Sequence, residues 1–217
     1  MNYDEAIRYF NDCIKINEKF TPAYSNLGRV YADLNNYNDA KKYFNKSIFF
    51  NENDFVSKFE LSKIFFSLGN FKSAFKFYEN RKLIYKDKNL NFIKQNFDSL
   101  EWSGEQLKNK KIVILSEQGF GDIIQFSRYI NILEDACEIY FVVNSKLNYL
   151  LKNLNVNLIN HTSEIPNHNY YQSILSLPGI YYRLNRKIYD EINYIKSDDL
   201  LEKKWKKKLN YLKKYKI

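Results

Sequence analysis

Asn36-Tyr37-Asn38-Asp39-Ala40, followed four residues later by Phe44, decides the reading of the first half of the chain, because it occurs three times. Asn2-Tyr3-Asp4-Glu5-Ala6 with Phe10 precedes it, and Asn70-Phe71-Lys72-Ser73-Ala74 with Tyr78 follows, at a period of 34 residues. A fixed period of that length identifies one stacked supersecondary unit, so it outranks any local reading. The small Ala6, Ala40 and Ala74 allow two helices to approach closely, and the aromatics fill the gap beyond them. The other helix of the middle unit carries Tyr24, Leu27, Gly28 and Tyr31; the next unit answers with Lys58, Leu61, Ser62 and Phe65. No such unit buries its apolar face alone, so the units must stack.

These residues resemble the tetratricopeptide repeat (TPR), with Tyr24 in the usual Trp position and Gly28 as the small residue. The resemblance covers roughly residues 1–85: one second helix, then two helix pairs, with Lys58 and Ser62 departing from the pattern. Residues 86–100, with Leu90, Phe92, Ile93, Phe97 and Leu100, are expected to form a closing helix, which sets a first domain at 1–101. The resemblance implies a shallow concave surface on which Asn26, Arg29 and Asp33 meet a protein or peptide. Asn26 matches a position that binds the backbone of an extended peptide in such arrays. A plain solvated helix face is the alternative.

Trp102-Ser103-Gly104 breaks the helical pattern and opens a second domain at 102–217. Lys111–Leu115 is a short apolar, β-branched run of the kind buried on both faces of a parallel sheet. Glu138–Val143 and Val156–Ile159 read as further strands, separated by helical patterns at Ile123–Leu133 and Lys146–Asn153. That alternation predicts a right-handed, Rossmann-like parallel sheet. The first strand runs into Glu117-Gln118-Gly119-Phe120-Gly121-Asp122. Glycines there permit a sharp turn and close approach of a ligand, the free N–H groups of the next helix favour an anion, and Asp122 stands where it can cap that helix. The third glycine and the later acidic residue of a dinucleotide site are missing, so no NAD site and no cofactor are expected.

The run Glu117-Gln118-Gly119-Phe120-Gly121-Asp122-Ile123-Ile124-Gln125-Phe126-Ser127-Arg128-Tyr129, with Trp102-x-Gly104 before it and Ser176-Leu177-Pro178 after it, is similar to a block of bacterial TPR-linked glycosyltransferases. Those proteins are related to heptosyltransferases and, more distantly, to O-linked N-acetylglucosamine transferases. The resemblance implies an α + α/β protein: a TPR array followed by the first, acceptor-side half of a GT-B fold. It implies Asp122 as the base that deprotonates an acceptor hydroxyl. It places Gln118, Gly119 and Gly121 along the cleft, and Arg128 against an acceptor anion or in a surface ion pair. Helix capping is the alternative role for Asp122. A glycan or protein acceptor joins the peptide among expected partners. Relatives continue into a donor-binding domain where this sequence ends at Lys213-Lys214-Tyr215-Lys216-Ile217, so no sugar transfer by the chain alone is expected. A TPR interaction module with a passive α/β domain is the second reading.

The net charge of +9 does not describe the whole surface. Eight lysines and one acid lie between Glu202 and Ile217, so +7 belongs to the last sixteen residues and a nucleic-acid partner is not expected. Leu201, Trp205, Leu209 and Leu212 recur there at helical spacing, predicting an amphipathic helix packed on the α/β domain, its lysines solvated. Cys13 and Cys137 are far apart and suit a reducing, cytoplasmic setting. His161 and His168 sit in a polar loop without spaced acidic or thiol partners, so solvated histidines and no metal site are expected. The N-terminus lacks a basic region followed by an apolar run, and no apolar run reaches the ~20 residues of a membrane span.

Overall fold

The computed structural model describes residues 2–85, 87–190, 194–197 and 199–211. The chain divides into two compact units, 1–88 with 182–186, and 89–181 with 187–217. The first is a row of antiparallel helices: α1 (Tyr3–Ile16), α2 (Thr21–Asp33), α3 (Tyr37–Phe50), α4 (Phe55–Ser67), α5 (Phe71–Tyr78) and the short α6 (Arg81–Ile84).

The repeated asparagine has a physical role. Asn2, Asn36 and Asn70 are the N-caps of α1, α3 and α5, and each side chain accepts from the backbone N–H three residues on. That bond satisfies an N–H with no partner inside the helix. The residue before the cap turns the chain out of the preceding helix with a left-handed backbone, Asn35 at φ 58° and Gly69 at φ 69°. The period therefore extends to the backbone itself, since both residue types tolerate that conformation. Ala40 and Phe44 join Leu61 and Ile64 in one buried cluster, flanked by Tyr31, Tyr37 and Phe65. The ring of Phe44 lies where a side chain at Gly28 would be: a Cβ there would come within 2.6 Å of it.

A polar network ties α2, α3 and α4 together. Asp54 caps α4, accepting from the Ser57 amide at 3.0 Å, and its other oxygen accepts from the hydroxyls of Ser47 and Ser57. Ser47 is also within 3.1 Å of the carbonyl of Thr21, and Ser57 Oγ, its one proton given to Asp54, accepts from the Ser25 hydroxyl at 3.0 Å. The buried serines are thus paired, as buried polar groups must be.

The second unit opens with α7 (Lys88–Asn96), the helix expected to close the array. It lies instead on a sheet: Leu90 and Ile93 are buried with Val113, Leu115, Val142, Ile159, Ile165 and Tyr171. The expected boundary at 101/102 accordingly differs from the division at 88/89. The i, i+3, i+7 spacing of Leu90, Ile93 and Phe97 marks an apolar face, and the wide β-branched surface offers it the larger burial.

Five parallel strands follow: β1 (Leu100–Glu101), β2 (Lys111–Leu115), β3 (Glu138–Val142), β4 (Asn157–Ile159) and β5 (Tyr170–Ser173), in the order β1-β5-β2-β3-β4. The protein is α + α/β, a TPR-like helical array followed by a small parallel sheet. Val113 and Leu115 face α7, while Ile112 and Ile114, on the opposite face by alternation, are also fully buried. Lys111 pairs Glu138 across the first register position of β2 and β3, with Nζ to Oε1 at 2.7 Å.

The connections are α8 (Phe120–Phe126), continued by a 3-10 helix over 127–133, α9 (Asn148–Leu151) behind a 3-10 turn, and α10 (Leu177–Asn185) after β5. The tail forms α11 (Asp199–Tyr211). Its stripe is not packed as expected: Trp205 and Leu209 are each 55% exposed. Leu212 and residues 213–217 lie outside the described residues.

Candidate functional site

The strand order contains one reversal. From β2 the chain moves outward to β3 and β4, then crosses back to place β5 on the other side of β2. In open parallel sheets ligands bind outside the carboxyl ends of the strands at the point where the strand order reverses. Here those ends are the turn 116–119 after β2 and the turn 174–176 after β5, the latter adjoining α8.

Gln118, Gly119, Gly121 and Asp122 come together at the first of these turns. The sharp change of direction belongs to Gln118, at φ 66°, and not to the glycines, neither of which has a positive φ. Gly119 is extended (φ −85°, ψ 169°) and is the N-cap of α8. Its N–H donates to Asp122 Oδ2 at 3.3 Å, so Asp122 makes the return bond of a capping box. A Cβ on Gly121 would meet nothing within 4 Å, and one on Gly119 only Asp122 Oδ2 at 3.8 Å. Among the described residues, only Asp122 Oδ2 approaches the space that these two glycines leave open.

Two further residues at the switch point were not singled out from the sequence. Glu117, the second residue of the turn, is buried and accepts from the hydroxyl of Ser173 at the end of β5. Ser173 also accepts from the Leu175 amide, and the neighbouring Gln172 donates to the Trp102 carbonyl at 2.7 Å. A carboxylate directly after an apolar strand was the available signal for Glu117; only the strand order brings Ser173 to it. Arg128 lies further along. Its Nε donates to the Gln125 carbonyl at 2.9 Å and its guanidinium sits 4.8 Å from the ring centre of Tyr194.

In the other unit, Asn26, Arg29 and Asp33 lie at i, i+3 and i+7 on α2, with Asn26 half-buried and the other two exposed. One period on, the same positions hold Glu60, Lys63 and Ser67, where Lys63 pairs Glu60 at 2.8 Å. An amide able to hold a peptide backbone thus stands at one of the two positions.

His161 is exposed, as expected, but His168 is not a solvated residue. Its ring stacks obliquely on Phe97 at 4.7 Å, Nδ1 lies 2.9 Å from the Pro166 carbonyl and Nε2 3.0 Å from Ser99 Oγ. A carbonyl only accepts, so Nδ1 carries the proton and Nε2 accepts from Ser99. Burial lowers the pKa below 6.5, against the opposing pull of the Pro166 carbonyl. The unfolded chain then takes up the proton first, so the stabilisation is full above about pH 6.5 and is lost as pH falls through the depressed native value. Urea midpoints measured from about pH 8 to pH 5 should fall less in His168→Gln than in the parent chain. Among the described residues no group of three or more His, Cys, Asp or Glu is arranged to hold a metal, and no helix is long and apolar enough to cross a membrane.

Comparison with known proteins locates the repeat independently. Residues 2–20 and 21–54 match the family model for the tetratricopeptide repeat. No curated protein matches the chain. Among solved structures it is similar to a mutant of the O-GlcNAc transferase of Thermobaculum terrenum, with 11% identity and a TM-score of 0.35, covering 73% of this chain and 38% of that one. The chain thus spans well under half the length of that protein.

Proposed function

We propose that this chain is a docking protein with a sugar-transferase heritage: its TPR helices engage a protein or peptide through the α2 face bearing Asn26, Arg29 and Asp33, and its α/β unit supplies an acceptor-side surface of the GT-B kind. TPR arrays generally mediate protein–protein contact through such stacked helix faces. The α/β half of the reading is carried by one observation. Gly121, the second residue of α8, is glycine although neither its backbone nor its packing requires one, whereas Gly119 is accounted for by its place as the N-cap. Glycine inside a helix costs up to about 1 kcal/mol relative to alanine, and close approach of a ligand is the reason we assign to Gly121. In this reading Asp122 takes the proton of an acceptor hydroxyl. Its Oδ2 is held by Gly119, while Oδ1 makes no hydrogen bond among the described residues.

Gly121→Ala tests the α/β half. The variant should melt no lower than the parent, because the new methyl enters open space, while titration calorimetry with UDP, ADP, their sugars and candidate acceptors should show at least a tenfold loss of binding. Turnover by the chain alone, lost in Asp122→Asn, would refute the expectation that it is inactive by itself. Unchanged binding in Gly121→Ala would remove the transferase reading. The second reading, docking without chemistry, is favoured by the Asp122–Gly119 bond, which by itself explains an Asp at that position. Peptide binding lost in Asn26→Ala, with no nucleotide-sugar bound at all, would select it.

A further inference from the structure

We infer that α11 is a docking helix for an anionic lipid surface. Trp205 and Leu209, one turn apart, each leave 55% of their area in solvent. The other tryptophan of the chain, Trp102, is 4% exposed and donates through Nε1 to the Glu105 carbonyl. Leu201, at i−4 from Trp205, extends the same stripe along the helix. Lys204 and Lys208 border it, with Lys208 Nζ 5.1 Å from the centre of the Trp205 ring. Lys203 and Lys207 are exposed on the far side, and Lys206 is paired with Glu202. The segment from Glu202 to Ile217 carries +7.

The two halves of this surface select the occupant together. A duplex nucleic acid or an acidic protein loop would use the lysines and leave Trp205 and Leu209 in water, and a single strand could stack a base on Trp205 but would leave Leu201 and Leu209 uncovered. A second copy of α11 would cover the stripe but set its bordering lysines against their own kind. A bilayer containing anionic lipid satisfies both: the apolar stripe enters the headgroup boundary, tryptophan favours that depth, and lysine stems reach back to the phosphates. At thirteen residues α11 is too short to span and would lie in the surface plane.

The chain supplies its own reporter. In a Trp102→Phe background, Trp205 is the single indole, and its emission is read against vesicles of phosphatidylcholine alone and vesicles with about one third phosphatidylserine. The expected result is a blue shift and co-sedimentation with the anionic vesicles, at least tenfold tighter than with neutral ones. Binding should weaken about fivefold for each of Lys204→Gln and Lys208→Gln, and at least tenfold in Leu209→Gln. Far-ultraviolet dichroism of each variant confirms that the chain remains folded. The inference is overturned if no blue shift occurs with either vesicle, if binding survives Leu209→Gln, which would indicate a purely ionic contact, or if the shift appears without lipid and follows protein concentration, which would assign the stripe to self-association.

Discussion

Replacing Phe44 by alanine is expected to destabilise the helical array by about 3–5 kcal/mol, the range for emptying a buried aromatic site. The ring is fully buried among Ala40, Leu61 and Ile64, so its removal opens a cavity between two helix pairs at once. The complementary change is informative because the Phe44 ring occupies the space above Gly28. Gly28→Ala alone should cost about 1–3 kcal/mol, since the new methyl would press on a ring that has nowhere to move. In the Phe44→Ala background the same substitution should be neutral or stabilising, by up to about 1 kcal/mol, because the clash is gone and alanine is the better helix former. A double-mutant cycle from urea titrations, followed by helical ellipticity, therefore predicts a strongly non-additive pair. Additive effects would show that the two positions do not share one space.

That notch was legible in the sequence because it recurs: a small residue on one helix, an aromatic on the next, at a constant interval. The strands β2 and β3 were legible for a different reason, being continuous apolar runs that only a doubly covered sheet can bury. β5 escaped notice because Tyr170-Tyr171-Gln172-Ser173 ends in polar residues. Gln172 and Ser173 are nonetheless buried, satisfied by Trp102 and Glu117, groups that nothing in the local sequence announces. β1, two residues long, has no local pattern at all. For α7 and α11 the periodicity correctly marked an apolar face but carried no information about what covers it. The turn at Gln118–Asp122 was found, yet its backbone was misread: glycine marked the place, while glutamine adopts the left-handed conformation.

Arg81→Ala is the second substitution expected to be severe, at about 2–5 kcal/mol, the range for truncating a long buried side chain. Arg81 is the largest fully buried side chain among the described residues, at 0% exposure. Its guanidinium lies 4.4 Å from the centre of the Tyr78 ring, and Nη1 is 2.8 Å from Glu79 Oε1. Burial alone would raise the pKa of Glu79, but the cations of Arg81 and Lys82 outweigh it and hold the carboxyl below its ordinary value. Glu79 keeps 43% of its side chain in solvent, so it can rehydrate when Arg81 is lost. Arg81 Nη1 also donates to the Tyr78 carbonyl at 3.3 Å, so the cost combines the emptied volume with lost polar contacts. Arg81→Met, which fills that volume without charge, should recover more than half of the loss, because a well-packed apolar side chain can replace a buried ion-pair partner. Equal losses in both variants would mean that the charge, and not the packing, holds the end of the array.

The strand order has a consequence for the sequence in which the protein can acquire structure as it emerges from the ribosome. The helix pairs of the array stack on their sequence neighbours, so the array can grow as successive pairs leave the exit tunnel, and low contact order favours speed. The sheet must wait. β1 and β2 are synthesised early but are not neighbours; the place between them belongs to β5, whose first residue pairs Leu100 seventy positions after it was made. Until Tyr170 appears, β2 presents an unpaired edge next to an empty slot, the kind of exposed strand on which nascent chains misassemble. A nascent chain stalled before that point would carry most of the array, lacking residues 182–186, and an unfinished sheet, and that interval is when a chaperone would be needed.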